Sequence, residues 1–394
     1  MSHRLLTTRI VAVGGLAFGV ETDDPALAAR FDRLLAAFPA AVTADPVVVS
    51  VRAVAEPGGR GVRYASSVDG ELIAETATAG EQEYHVLRVL NRRALDADAG
   101  HLHVHGGGVA RDGRAVALVG RSGSGKSSLT AALVRGGWDY LTDERLAIRP
   151  DDARIEPFPR PLTLRPDMWA RFTDLVPSGA DPGGDRTRVE VAPSDLGRVA
   201  PFVPHELGVV CFPDLTPDSA TALESIGTAA ECVEHLAASC HDLDRLGCEG
   251  LDVLARWAAR APAWRVRASE PTTAATLVEE AFAAVEASEP VVVDRWPGGN
   301  AGPPAAGTVV RAPDAEAWAF ADGSAVVFRP VTRQLARTDL AGLDLWERLR
   351  RPVAVAEVVA AVGADDGVRD AVHAWLDRMR LTGFLISGDA GAER

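Results

Sequence analysis

The sequence predicts an α/β protein with an α+β N-terminal lobe and a distinct C-terminal unit. Three observations carry this. Between about residues 101 and 295, strand-like runs alternate with helix-like runs, the pattern of a layered α/β architecture. The first hundred residues mix short apolar runs with two stretches of helical periodicity. A Pro/Gly-rich stretch, 297–307, then reads as an interdomain linker before a segment with its own hairpin and helices.

Taken in order, 10–13, 47–51 and 61–64 read as strands, and 25–38 and 82–95 as helices. This lobe, 1–100, carries no chemical motif of its own. Next, 102–105, 115–119, 140–142 and 207–212 read as strands, while 127–135 reads as a helix stopped by Gly136 and Gly137. Helices are expected over 228–240 and 251–260. The predicted domains are 1–100, 101–296, the linker 297–307, and 308–388. In the last of these, strands 317–321 and 325–329 flank an Asp322-Gly323 turn, a hairpin signal. Val372, Trp375, Leu376 and Met379 form one apolar helical face.

Composition narrows the function classes. A chain that is 47% hydrophobic and 24% charged is an ordinary globular one. No apolar run approaches the roughly 20 residues of a spanning helix, and the start Met1-Ser-His-Arg4 lacks a secretory pattern. The expectation is a cytoplasmic protein without a membrane partner, its oligomeric state left open. A net charge of −14 argues against nucleic acid as a partner, because binding it takes many cations facing phosphates. Cys232, His235, Cys240, His241 and Cys248 cluster in sequence, but their spacing fits no standard zinc pattern. Packed, reduced cysteines are expected.

One count points to a site. Of 41 basic residues, forty are Arg and only Lys126 is Lys. That lysine stands inside Gly120-Arg121-Ser122-Gly123-Ser124-Gly125-Lys126-Ser127, which satisfies G-x-x-x-x-G-K-[ST] between a predicted strand and a predicted helix. Glycines let successive N–H groups converge on phosphate oxygens, and a helix N-terminus favours an anion. Lys126 would neutralise the outer phosphates of a nucleoside triphosphate, and the Ser127 hydroxyl would ligate Mg²⁺.

Phosphoryl transfer also needs a carboxylate. Asp143 and Glu144, expected just past the strand 140–142, are the best pair, to hold the metal and accept a proton. Asp214 is the rival, but Pro213 is expected to turn the chain away before it. His103 and His105 share one face of a strand, which by itself is weak evidence for a metal.

At this point the residues resemble a family. The stretch from His105 to Ile148, HGGGVARDGRAVALVGRSGSGKSSLTAALVRGGWDYLTDERLAI, is similar to the catalytic core of HPr serine kinase/phosphorylase and its relatives. His105 precedes the first loop glycine by fifteen positions and Asp143 follows the loop lysine by seventeen, as in that family. The resemblance implies a P-loop kinase core of the HPr kinase type, with ATP and Mg²⁺ as its nucleotide and metal. It implies that Asp143 activates a hydroxyl and that His105 helps to organise the terminal phosphate and the acid. The chain departs at Glu144, where the family usually has Asp, and at Ser128, where Glu is common; the later E-[IL]-R-G segment has no counterpart. In its place stands 157–165, PFPRPLTLR, similar to HPr-kinase-like proteins of peptide biosynthesis, whose Arg160 and Arg165 suit phosphate contacts.

The segment 308–388 independently resembles the PqqD-like peptide-recognition element, a small winged-helix fold, through FADGSAVVFRP, LDLWERLRRPVAVAEVVAAV and VRDAVHAWLDRMRLTGFL. Such elements take the leader of a ribosomally made precursor peptide as an added strand. The expectation is an ATP-dependent kinase acting on a Ser or Thr hydroxyl of such a peptide. Two alternatives stand beside it: a regulatory serine kinase acting on a folded carrier protein, and a nucleotide-gated peptide-binding adaptor without transfer chemistry.

Overall fold

Strands and helices take near-equal shares of the chain, 35% and 34%, so the fold is a mixed α/β one, as expected at that level. The computed structural model describes residues 5–42, 45–55, 62–177, 188–285, 293–299, 302–362 and 365–388. Gly61 of the expected strand 61–64, and residues 300–301 of the expected linker, lie outside the described residues.

Two compact units emerge: residues 1–224 with 264–284, and residues 225–263 with 285–394. This division differs from the sequence expectation in three ways. The lobe 1–100 belongs to the same unit as the phosphate loop. Residues 225–263, expected in the middle domain, cluster with the C-terminal residues. The strand Asp294–Trp296, just before the Pro/Gly stretch, already pairs with Glu316–Ala319 of that second unit.

In the first unit, Leu16–Thr22 runs parallel to Val47–Ala55, which leads antiparallel into Val62–Val68 and Glu71–Thr76. Phe18, Val20, Val49 and Val51 share a core with Phe31 and Leu34 of the helix Pro25–Leu35 and with Val86, Leu87 and Leu90 of the helix Ala79–Ala97. Asp24 and Thr78 cap these helices, accepting hydrogen bonds from N–H groups of their first turns.

A seven-stranded sheet follows, with Ile155–Glu156, Asp139–Ile148, Leu102–Arg111, Arg114–Val119 and Glu206–Leu215 adjacent in that order. The first four pair antiparallel, and Arg114–Val119 with Glu206–Leu215 pairs parallel. The helix Lys126–Arg135 packs on Leu102–Arg111 and Asp139–Ile148 and is buried on nearly every side, from Ser128 through Val134. Such complete enclosure is possible because its residues are mostly small or aliphatic.

Three consecutive glycines in Leu102–Arg111 permit close packing, Gly107 against that helix and Gly106 and Gly108 against neighbouring strands. A Cβ on Gly107 would lie 2.5 Å from Thr130 Oγ1, and one on Gly106 would lie 2.7 Å from the Leu118 carbonyl. The sheet thus approaches the helix more closely than any side chain would permit.

In the second unit, Asp294–Trp296, Glu316–Ala319, Ser324–Arg329 and Gln334–Asp339 form an antiparallel sheet in chain order. The helices Ala229–Ala237 and Leu243–Arg260 pack on it. The expected hairpin is present: Asp322 accepts hydrogen bonds from the Ser324 N–H and hydroxyl, and also from the Ala229 N–H. Thr308–Arg311 pairs with Val353–Ala354 and Leu385–Ser387. Helices Leu340–Arg348, Val355–Ala360 and Asp366–Leu381 close a core around Trp346, Trp375 and Phe384. The face read from the sequence, Val372, Trp375, Leu376 and Met379, is the buried one. Among the described residues, no helix is long and apolar enough to cross a membrane.

Overpacking a filled core costs about 1–3 kcal/mol, so Gly107→Ala should lower the melting temperature. Adding Thr130→Ala, which removes the obstructing hydroxyl, should recover part of the loss in thermal melts followed by circular dichroism.

Candidate functional site

The strand Arg114–Val119 ends where the glycine-rich loop begins, and the helix Lys126–Arg135 starts on the loop's last residues. Gly125 caps that helix with φ 93°, and a Cβ there would meet the Leu215 side chain at 2.6 Å. Both facts require glycine at this position. The loop lies against Glu206–Leu215, whose Leu215 N–H donates to the Ser124 carbonyl at 3.1 Å.

Lys126 folds back over the loop. Its Nζ donates to the carbonyls of Gly120, at 2.5 Å, and Arg121, at 3.0 Å. Burial lowers its pKa, against the pull of Asp143 and Glu144. Ser127 Oγ lies 3.0 and 2.9 Å from the two carboxylate oxygens of Asp143. Burial is also the main reason that the Asp143 carboxyl is pushed up to about 6, with Glu144 adding to the effect and Arg160, Ser127 and Lys126 opposing it.

Asp143 and Glu144 do not follow a strand, as expected, but sit inside one, Asp139–Ile148. Consecutive strand residues normally face opposite sides. Here both line one cleft because the strand is irregular: pairing shifts between Gly108 and Val109, leaving Leu141 unmatched, and Glu144 has φ 109°. A non-glycine residue in that region costs on the order of 1–3 kcal/mol. Asp214 also departs from expectation, since Glu206–Leu215 continues through Pro213. Registered pairing with Arg114–Val119 stops at Cys211, so the proline breaks no ladder bond on that side. Asp214 is nevertheless not among the cleft residues, which include Leu215, Thr216 and Pro217.

His105 Nδ1 lies 3.1 Å from the Glu144 carbonyl and 3.7 Å from its carboxylate. Arg160, almost fully buried, approaches the other Glu144 oxygen at 3.5 Å. Burial works against the Arg160 charge, but Glu190, Glu144 and Asp143 surround it and raise its pKa. Arg165 donates to Ser122 Oγ at 3.0 Å. His103, by contrast, is fully buried with Nε2 3.1 Å from Oδ2 of Asp98, whose Oδ1 lies 2.6 Å from His101 Nδ1.

Together these groups surround a cleft of about 610 Å³, a size typical of small-ligand sites. Ser122, Gly123, Gly125, Lys126, Ser127, Ser128, Asp143, Glu144, His105, Arg160 and Arg165 all line it, while Gly120, Arg121 and Ser124 stand behind. The buried Ser124 Oγ has no hydrogen-bond partner among the described residues. Ser127 and Asp143 are close enough to ligate one cation, with Glu144 drawn toward His105 and Arg160. Among the described residues, no three His, Cys, Asp or Glu side chains are grouped to hold a metal unaided. Mg²⁺ ordinarily takes only one or two carboxylates, with waters and phosphate oxygens. The cysteines are free thiols, and burial pushes those of Cys232 and Cys240 up to about 12.

No known family model matches this chain, and no curated protein matches it in sequence.

Sequence reasoning missed one whole wall. Tyr84, Arg88 and Asn91, at i, i+4 and i+7 on Ala79–Ala97, line the cleft with Arg188. The only signal was that spacing of polar residues on a helix whose other face is apolar. Glu190 was also missed: it is buried, accepts from the Thr163 hydroxyl at 2.9 Å, and burial pushes its carboxyl up to about 7.

The backbone at Glu144 yields a direct check. Glu144→Gly should melt above Glu144→Ala by thermal denaturation, since both lose the carboxylate and only alanine keeps the strain. Equal melting temperatures would mean that this backbone is unstrained.

Proposed function

We propose that the chain is an ATP-dependent kinase that phosphorylates a Ser or Thr hydroxyl of a ribosomally synthesised precursor peptide. The observation that carries this reading is the Ser127–Asp143 pair at the mouth of the strand–loop–helix. A carboxylate held against the first hydroxyl after the loop lysine is what phosphoryl transfer requires and a plain glycine turn does not. The resemblance of 105–148 to the HPr kinase type, and of 308–388 to the PqqD-like winged-helix element, supports the same reading.

The residues fit a triphosphate with Mg²⁺. The loop turns sharply at Gly125 into the N-terminus of the helix Lys126–Arg135, as an anion cradle requires, and Ser127 with Asp143 forms an oxygen donor pair suited to a hard cation. Bound there by Ser127 and Asp143, Mg²⁺ would supply neutralisation of phosphate charge. Loop N–H groups and Lys126 orient the outer phosphates, for which Lys126 exchanges the loop carbonyls it now contacts. Asp143 accepts the proton of the acceptor hydroxyl as that oxygen bonds to the terminal phosphorus. The bond from that phosphorus to the β-phosphate oxygen breaks, and ADP leaves. A carboxyl titrating near 6 is ionised at neutral pH yet basic enough to take this proton. Arg160 and Arg165 would hold the transferring group, and His105 would steady Glu144.

In the second unit, Gln334–Asp339 pairs on one side only among the described residues and offers an edge to which a leader could add as a strand. Capture there would raise the acceptor's effective concentration. A cytoplasmic setting goes with this reading.

Incubation with ATP, Mg²⁺ and a candidate precursor peptide should add one phosphate mass, read by mass spectrometry. Asp143→Asn should lower kcat by about 10²-fold or more. The wild-type rate should rise with pH at or below about 6, because the base works only once its proton is lost and a bound cation favours its ionised form. Nucleotide binding without any phosphopeptide would support the adaptor instead.

A further inference from the structure

The cleft has two chemically different sides. The loop side carries Lys126 and is flanked by Leu215, Thr216 and Pro217, with Arg165 tied to loop residue Ser122. The opposite wall comes from the helix Ala79–Ala97. That helix packs beside the strand Val189–Val191, where Glu190 approaches Arg160. Arg30 ties the two elements together, pairing with Glu83 of the helix at 3.1 Å and donating to the Glu190 carbonyl. The helix wall is therefore tied to the carboxylate side of the cleft through Arg30, Glu190 and Arg160.

Most arginines of this acidic chain are neutralised by carboxylates. Arg88 is not: it is exposed to the cleft and has no hydrogen-bond or ion-pair partner among the described residues. Arg188 likewise has no carboxylate partner among them; its guanidinium lies 4.5 Å from the centre of the Tyr84 ring. That stacking holds the guanidinium in place and leaves its edge donors unused. Nearly one turn beyond Arg88 on the same helix, the buried Oδ1 of Asn91 lacks a hydrogen-bond partner among the described residues. Two unpaired forks, an aromatic plane and an unsatisfied amide acceptor make a wall suited to an anion on a chain with backbone N–H groups.

We propose that Tyr84, Arg88, Asn91 and Arg188 form the acceptor subsite and select a peptide carrying a carboxylate next to the hydroxyl that receives phosphate. This assignment rests on the phosphoryl-transfer reading of the cleft. Arg88 and Arg188 clamp the carboxylate, and Asn91 accepts a peptide N–H. The hydroxyl is thereby presented to Asp143 from the side opposite the nucleotide. The carboxylate belongs to an acidic side chain or to the end of the peptide.

The test uses rhodamine-labelled peptides and the full chain with ADP and Mg²⁺, read by fluorescence anisotropy. Ala-Asp-Ser-Asp-Ala amide should bind at least about tenfold more tightly than Ala-Asn-Ser-Asn-Ala amide. If instead the free acid Ala-Asn-Ala-Asn-Ser is the tight binder and the Asp amide is not, the carboxylate recognised is the chain end. Arg88→Glu with Arg188→Glu should abolish the preference, as should the milder Arg88→Gln with Arg188→Gln should the first pair unfold. The charge-matched control Arg350→Glu with Arg369→Glu should keep it. Equal binding of all three peptides, or a preference that survives loss of both arginines, overturns the assignment. Because binding is read without turnover, failure to phosphorylate any peptide with ATP would count against the kinase reading separately.

Discussion

The contact between Ser127 and Asp143 ties together the two structural devices on which the site depends. One is a loop that closes without side chains, so that a helix can begin with exposed N–H groups. The other is a strand forced out of regular alternation, so that two successive carboxylates enter one cleft. Neither device works alone. A loop lacking the carboxylate would hold an anion without directing chemistry, and so deeply buried a carboxylate without the hydroxyl and nearby cations would be driven further toward its neutral form. Gly107 serves the same contact, because it lets the helix bearing Ser127 settle onto the sheet bearing Asp143.

The loop was legible because its geometry forces residue types: glycine where a Cβ would strike Leu215, and a lone lysine among forty arginines. The buried face of Asp366–Leu381 was legible because helical periodicity reports burial directly. Other features lay beyond such rules. Positive φ at Glu144 leaves no mark on residue choice, so the strand appeared to end where it kinks. Pro213 signalled a turn although its strand merely runs past its last registered partner. The helix wall of Tyr84, Arg88 and Asn91 was hidden because a polar face reads as solvated until another part of the chain is brought opposite it. The division into compact units was hidden for a related reason. Residues 225–263 have the helical pattern of the middle segment, and only their packing on the C-terminal sheet assigns them elsewhere.

Charge distribution gives the cleft its character. The chain carries a net charge of −14, yet six cations line the cleft, namely Arg88, Lys126, Arg160, Arg165, Arg171 and Arg188, against Asp143, Glu144 and Asp167. An acidic exterior around a cationic hollow discourages nonspecific polyanions and concentrates positive potential where a small anion fits. Arg171 is already paired with Glu270, whereas Arg88 and Lys126 have no carboxylate within ion-pair distance among the described residues.

Lys126, the sole lysine, permits the most direct measurement. An acyl-phosphate derivative of ATP transfers its acyl group to a lysine lying beside the bound phosphates. With one lysine in the chain, intact mass and peptide mapping report the site without ambiguity. Expected is a single acylation at Lys126 that excess ATP with Mg²⁺ suppresses and free phosphate does not. A Lys126 left unmodified, or modified equally with and without ATP, would contradict a triphosphate seated on this loop.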